Sequence, residues 1–230
     1  MKFIRKLIVF LIIILTLACS FLFLIGYGYY SNTLNEKPLT ERVEEITKKE
    51  PYTSFENLPK NYINAVVATE DRRYYSHGPV DFIGIARAFY TNIRDKDFDE
   101  GGSTITQQVA KNVIFNQDKT LIRKVGEIFA SYDLEKNYSK DEILAIYANS
   151  CYFGNGYYSI YDASMGYYNK EPKDLNLSEA SMLAGVPNAP SLYAPTVNMD
   201  LAKKRQAHVL KKMVENGYIT QSEADSVTNP

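Results

Sequence analysis

Residues 139–147 read Ser-Lys-Asp-Glu-Ile-Leu-Ala-Ile-Tyr, and this stretch decides the fold class. Ser139 and Glu142 have the spacing of a reciprocal helix-start cap, in which the hydroxyl and the carboxylate each accept from a backbone N–H that the helix leaves unpaired. Ile143, Ile146 and Tyr147 then share one face at helical period. The same pattern recurs elsewhere. Thr220-Gln221-Ser222-Glu223 opens another helix just after Gly217, itself a suitable stop for a helix running from about Asp200. Leu177-Ser178-Glu179 begins a further helix, which Gly185 and Pro187 end. From Asn61 onward strand-like alternation is scarce, so the domain is expected to be mainly α.

Toward the N-terminus, residues 7–25 form an apolar run broken only by Thr16, Cys19 and Ser20, long enough to cross a bilayer as a helix. Lys2, Arg5 and Lys6 precede it and no basic residue occurs in the next ten, which places residues 1–6 in the cytoplasm and everything after Tyr30 outside the cell membrane. Tyr27, Tyr29 and Tyr30 fall where an interfacial aromatic belt would lie. A cleaved signal peptide and a lipoprotein signal ending at Cys19 are the rival readings. The run continues past Cys19 through Phe21 to Ile25, and no small-residue cleavage motif follows, so an uncleaved single-pass anchor at 7–30 is favoured. The polar segment 31–54, with Pro38 and Pro51, is expected to be a stalk with a short helix lifting a domain at 55–230 off the lipid.

With 230 residues, the chain has room for this anchor and one domain of about 180–200 residues. A net charge of −1, from 26 basic and 27 acidic residues, gives no global field toward nucleic acid. Cys19 and Cys151 fit no zinc or redox spacing, and a disulfide is not expected because Cys19 lies in the apolar run. His77 and His208 are the only histidines and have no second His or Cys near them in sequence, so no His/Cys metal centre is expected.

Three segments carry candidate chemistry. In a helix expected around residues 63–73, Glu70 follows Ile63, Val66 and Val67 by seven, four and three residues, which places it in the middle of their apolar stripe. A carboxylate there is either desolvated beside a cleft, where it can serve in general acid or base chemistry, or paired structurally with Arg72, Arg73 or Arg87; position alone leaves both open. In the second segment, Gly101 and Gly102 lead a helix that Ser103 or Thr104 can cap. Thr104, Gln108 and Lys111 line one of its faces, which suits an anionic ligand or simply solvent. The third, 121–135, has Ile122, Val125, Ile128, Phe129 and Tyr132 on its apolar face. Arg123 and Glu127 lie opposite, either as an exposed ion pair or, with Lys124, as a second carboxylate facing the cleft of Glu70.

These segments belong to a longer series: ATEDRRYYSHGPVDFIGIARA at 68–88, GGSTITQQVAKN at 101–112, RKVGE at 123–127, KDEILAIYANSCYFGNGYYSI at 140–160, and LAGVPNAPSLYAP at 183–195 followed by Arg205 and Val209-Leu210. In this order they resemble the five motifs of glycosyltransferase family 51, the peptidoglycan transglycosylase module of penicillin-binding proteins and their monofunctional relatives. The resemblance covers roughly residues 55–220. It implies a mainly α, lysozyme-like domain with a small membrane-proximal jaw lobe, preceded by one N-terminal transmembrane helix. No transpeptidase-like sequence follows, so a monofunctional enzyme is the expectation.

The activity implied is polymerisation of lipid II into β-1,4-linked glycan with inversion and release of undecaprenyl diphosphate. By the resemblance, Glu70 is the general base toward the acceptor 4-hydroxyl. Glu127 assists departure of the diphosphate or holds its divalent cation, Mg²⁺ or Mn²⁺. Lys111, Arg123 and Lys124 neutralise the diphosphate, while Asp71, His77, Thr104 and Gln108 shape or contact the site. The partners implied are lipid II, the growing glycan strand and membrane lipid, with penicillin-binding transpeptidases and other cell-wall synthesis proteins as candidates. The sequence departs from the family's usual pattern at Tyr74, Gly78-Pro79, Ala145, Ala148 and Asn169. A lytic glycan-cleaving enzyme using Glu70 as general acid is the nearest alternative, and a membrane adaptor without catalysis the next. The glycine-led helix and the cationic third segment favour a diphosphate-bearing donor, which a lytic enzyme does not need, and the presence of both carboxylates and the cations disfavours an inactive adaptor.

Overall fold

The computed structural model describes residues 2–95, 101–115 and 120–228, and among these there is no strand. A long helix, α1 (Lys2–Glu36), leads into α2 (Leu39–Thr47), α3 (Lys60–Glu70) and α4 (Phe82–Asp95). Next come α5 (Ile105–Val113), α6 (Leu121–Asn137), α7 (Lys140–Ser150) and α8 (Ile160–Tyr168). The chain closes with α9 (Leu177–Gly185), the single turn α10 (Pro190–Tyr193), α11 (Met199–Glu215) and α12 (Gln221–Thr228).

The expected start of α7 is present. Ser139 Oγ accepts from the Glu142 N–H at 3.3 Å, and Glu142 Oε2 accepts from the Ser139 N–H at 2.8 Å. Ile143, Leu144, Ile146 and Tyr147 are fully buried, each aliphatic side chain contributing about 1.5–3 kcal/mol relative to exposure. Around α7 the helices form two packed groups, α5–α6–α7 and α3–α9–α11. The other expected stops and starts hold as well. Gly217 ends α11 with a left-handed φ of +73°, and Thr220 and Glu223 cap α12 reciprocally. Asn169 ends α8 at φ +52°, a conformation asparagine tolerates better than most residues.

Three expectations need correction. The helix around Glu70 ends at Glu70 itself rather than continuing to Arg73. The segment 31–54 is not a free stalk: α1 runs unbroken to Glu36, Leu39 and Val43 of α2 are buried, and Asn149 of α7 bonds both the N–H and the carbonyl of Thr53. Its polar residues cover only the outer face of an amphipathic α2, which is why composition alone reads as a linker. Tyr132, assigned to the apolar face of α6, is exposed, whereas Arg123 and Glu127 on the opposite face are buried. Helix α6 is packed on two sides, so a single hydrophobic stripe does not describe it.

Helix α1 is long and apolar enough to cross a membrane, with a mean hydropathy of 3.2 over its most apolar 18 residues. Cys19 is exposed on it and Cys151 is buried beside α7; both are free thiols. Helix α4 turns Phe82, Ile83, Ile85, Phe89, Tyr90 and Ile93 outward, the opposite of what a water-facing helix does.

Candidate active site

The two helix groups meet at an open cleft of about 420 Å³ that contains both candidate carboxylates. Glu70, the last residue of α3, projects into it. Its Oε1 accepts from Arg205 Nη2 of α11 at 3.2 Å, and its Oε2 accepts from Gln108 Nε2 of α5 at 2.9 Å. The side chains of Glu70 and Arg205 are 14% and 10% exposed, so the pair is largely dry yet open to a ligand. The arginines proposed as structural partners do not fill that role. Arg72 and Arg87 line the cleft, while Arg73 turns to Asp81 at 3.3 Å. The two donors fix the orientation of the Glu70 carboxylate in the cleft.

Across the cleft, Glu127 of α6 is 1% exposed, which overturns the reading of a surface ion pair. It accepts from Arg123 and, at 2.8 Å, from Lys124 Nζ, which also donates to Ser103 Oγ at 2.7 Å. Lys111, one turn beyond Gln108 on α5, lines the same cleft. The lining includes seven arginine and lysine side chains against three glutamates, so the cleft carries a positive excess although the chain does not. That local excess attracts a polyanion.

Asp71, His77 and Thr104 lie behind the cleft wall rather than on it. Thr104 Oγ1 donates to the Pro79 carbonyl at 3.0 Å and accepts from the Gln107 N–H at 3.2 Å, while Gln107 Oε1 accepts from the Thr104 N–H at 3.1 Å. Asp71 Oδ2 accepts from the Ile105 N–H at 3.1 Å, and its Oδ1 is 2.7 Å from His77 Nε2. These contacts fix the start of α5, the helix that presents Gln108 and Lys111. Burial works against a charged His77, but the Asp71 carboxylate and the Gly78 carbonyl outweigh it and hold the imidazole above its ordinary value. Tyr74 buries its ring and donates its hydroxyl to the Lys140 carbonyl at 2.7 Å.

Ligand-type atoms of Asp71, His77 and Asp81 lie within 4.8 Å of one another. Their carboxylates already receive the Ile105 N–H and Arg73, so the group is held by protein donors. In the cleft, Glu70 and Glu127 are likewise engaged by cations, which does not fit an all-protein cage for a hard divalent ion.

Arg205 was not among the residues singled out for the site, although it falls in the last matched segment. With His208 and Lys212 it recurs at i, i+3 and i+7 along α11, and all three line the cleft. That polar row, set beside the buried Ala202, Val209, Leu210 and Met213, was available from the sequence.

Fold and site together define a helical domain whose cation-rich cleft opposes two carboxylates, on a chain with a membrane-length helix. The chain belongs to the transglycosylase family: the family model described as Transglycosylase matches residues 35–214. It is 40% identical to penicillin-binding protein 1F of Bacillus subtilis over 240 residues, covering 96% of this chain and 33% of that protein. It is 43% identical to penicillin-binding protein 1A of Neisseria lactamica over 182 residues, covering 79% of this chain and 23% of that one. Penicillin-binding protein 1A of Vibrio cholerae is 36% identical over 98% of this chain and 29% of its own length. The chain thus spans about a third or less of the length of these curated relatives.

Proposed function

We propose that the chain is a peptidoglycan glycosyltransferase that polymerises lipid II into β-1,4-linked glycan with inversion. The observation that carries this reading is the opposition, in one cleft, of the Arg205- and Gln108-held Glu70 to the Arg123–Lys124–Glu127 cluster. Glu70 takes the proton of the acceptor 4-hydroxyl as its oxygen bonds to the anomeric carbon of the donor. The bond from that carbon to the diphosphate oxygen breaks, and its electron pair leaves with the undecaprenyl diphosphate. Lys111, Arg123 and Lys124 stabilise the charge that develops on the leaving group, where preorganised cations act most strongly. Glu127 holds Arg123 and Lys124 in place, and Asp71, His77 and Thr104 keep α5 in register. A divalent cation fits best as one carried in with the diphosphate, where it would further neutralise the leaving group.

Helix α1 serves as the membrane anchor, with the N-terminus cytoplasmic and the cleft outside, where lipid II presents its sugar. The partners are lipid II, the growing strand and membrane lipid, with transpeptidases that cross-link the product as further candidates. The test is to supply the detergent-solubilised protein with lipid II and Mg²⁺ or Mn²⁺ and analyse the products. Long glycan with release of the lipid diphosphate is expected; anhydro-ended or shortened glycan from preformed strands, or no turnover, would overturn the reading.

A further inference from the structure

The membrane helix does more than end near the domain. Its exit segment docks on α6. The ring of Phe129 meets Phe23, Tyr27 and Tyr30 with centroids 5.6, 5.2 and 5.9 Å away, and the Tyr30 hydroxyl bonds Asp133. Tyr29 stacks on Phe115, just beyond α5, at 5.4 Å. Gly26 lets the two backbones approach: a Cβ there would overlap Val125 and stand 3.4 Å from the Ile122 carbonyl.

On α6 the anchor-facing positions are 122, 125, 126, 129 and 133. At about 100° per residue their mean direction lies about 150° from that of Arg123, Lys124 and Glu127. The helix is therefore held between the anchor on one side and the cleft on the other. A helix does not compress, so a displacement imposed at the anchor face is carried to the cleft face.

We propose that the membrane helix is a positioning element of the active site: its docking at Gly26 sets where Arg123, Lys124 and Glu127 stand relative to Glu70. The proposal rests on the glycosyltransferase reading of the cleft. It makes turnover depend on the tilt and rotation of the anchor, and hence on the bilayer around it, without any ligand at a second site. Gly26 and Val125 are positioning residues and touch no substrate.

The structure supplies a matched pair of variants. A Cβ at Gly26 would lie 2.5 Å from Val125 Cβ, an atom that no side-chain rotation moves. Relief requires the helices to part by about 1 Å to restore an ordinary carbon–carbon contact. A Cβ at Gly28, half a turn along, meets nothing within 4 Å. Both changes raise helix propensity, so Gly26→Ala is not a variant that simply fails to form its helix.

The experiment compares the full chain with Gly26→Ala, Gly28→Ala and the double variant Gly26→Ala/Val125→Gly in nanodiscs. It measures kcat and KM for lipid II polymerisation and amide hydrogen exchange across residues 121–131. Gly26→Ala is expected to lower kcat at least about tenfold with little change in KM, since misplacement of about 1 Å can cost on the order of 10²-fold. It should also speed exchange in α6, while Gly28→Ala stays within about twofold of the parent and Val125→Gly, which removes the clashing Cβ, restores most of the lost rate, which a merely destabilising change would not allow. Gly26→Ala matching Gly28→Ala in both rate and exchange would overturn the proposal. If the parent itself makes no polymer, the glycosyltransferase reading fails, and the exchange comparison alone decides whether the anchor positions α6.

Discussion

Replacing Arg205 probes the part of the site that sequence position conceals. In the Arg205→Met variant Glu70 keeps the Gln108 amide at 2.9 Å and loses the guanidinium at 3.2 Å. A hydrogen bond to a charged group contributes about 1.5–3 kcal/mol, and the open cleft argues for the lower end of that range because water can reach the carboxylate. About 1.5–2 kcal/mol of lost orientation at the base corresponds to a fall of roughly 10- to 30-fold in kcat. Stability should fall less, by about 1 kcal/mol or about 2–4 °C in Tm, because the methionine retains most of the packing of the arginine stem against Gly185. Arg205→Lys should fall between parent and Met, since it keeps the charge but loses the planar fork and the contact with the Tyr193 ring at 5.9 Å. The assay is initial-rate lipid II polymerisation alongside thermal unfolding by circular dichroism. A Met variant polymerising at the parent rate would refute the assignment of Arg205 as the group that holds Glu70.

Other variants separate chemistry from support. Glu127→Gln should lose at least about 10²-fold in kcat while remaining folded, because Arg123 and Lys124 lose the carboxylate that orders them; near-normal polymerisation would reduce Glu127 to a structural residue. Thr104→Ala removes the helix cap and should cost about 1 kcal/mol of stability, read as a lower Tm, with the rate falling only as α5 shifts. The Asp71 carboxylate, against the opposing effect of burial, holds His77 above its ordinary value, so the stabilisation from the contact is complete below the ordinary histidine range and is lost as pH rises through the folded value. Thermal melts of the parent should therefore lose more stability than those of Asp71→Asn between pH 6 and the alkaline side of neutrality, and parallel curves would exclude the coupling.

The helices were legible because their signals are local. Ser139 with Glu142, Thr220 with Glu223, and Gly217 each act within one turn, and each is found where its spacing predicts. Glu70 was legible as an anomaly, but its partner lies 135 residues away and no periodicity connects the two. Arg123 and Glu127 illustrate a different limit: an i,i+4 ion pair has the same spacing whether exposed or buried. What buries this one is α6 being packed from two sides, a tertiary fact that a single amphipathic stripe cannot encode. The segment 31–54 contains the expected short helix, α2, but its packing on the domain was not legible, since a short amphipathic helix with few apolar residues has the composition of a linker.

The account centres on Glu70 as the base of a polymerising transferase, and the most direct measurement is lipid II polymerisation by Glu70→Gln beside the parent. The substitution keeps the shape and one acceptor oxygen for Gln108 or Arg205 but removes the proton acceptor. The account predicts near-complete loss of glycan product with an unfolding transition close to that of the parent. A folded Glu70→Gln protein that polymerises lipid II at the parent rate would contradict it.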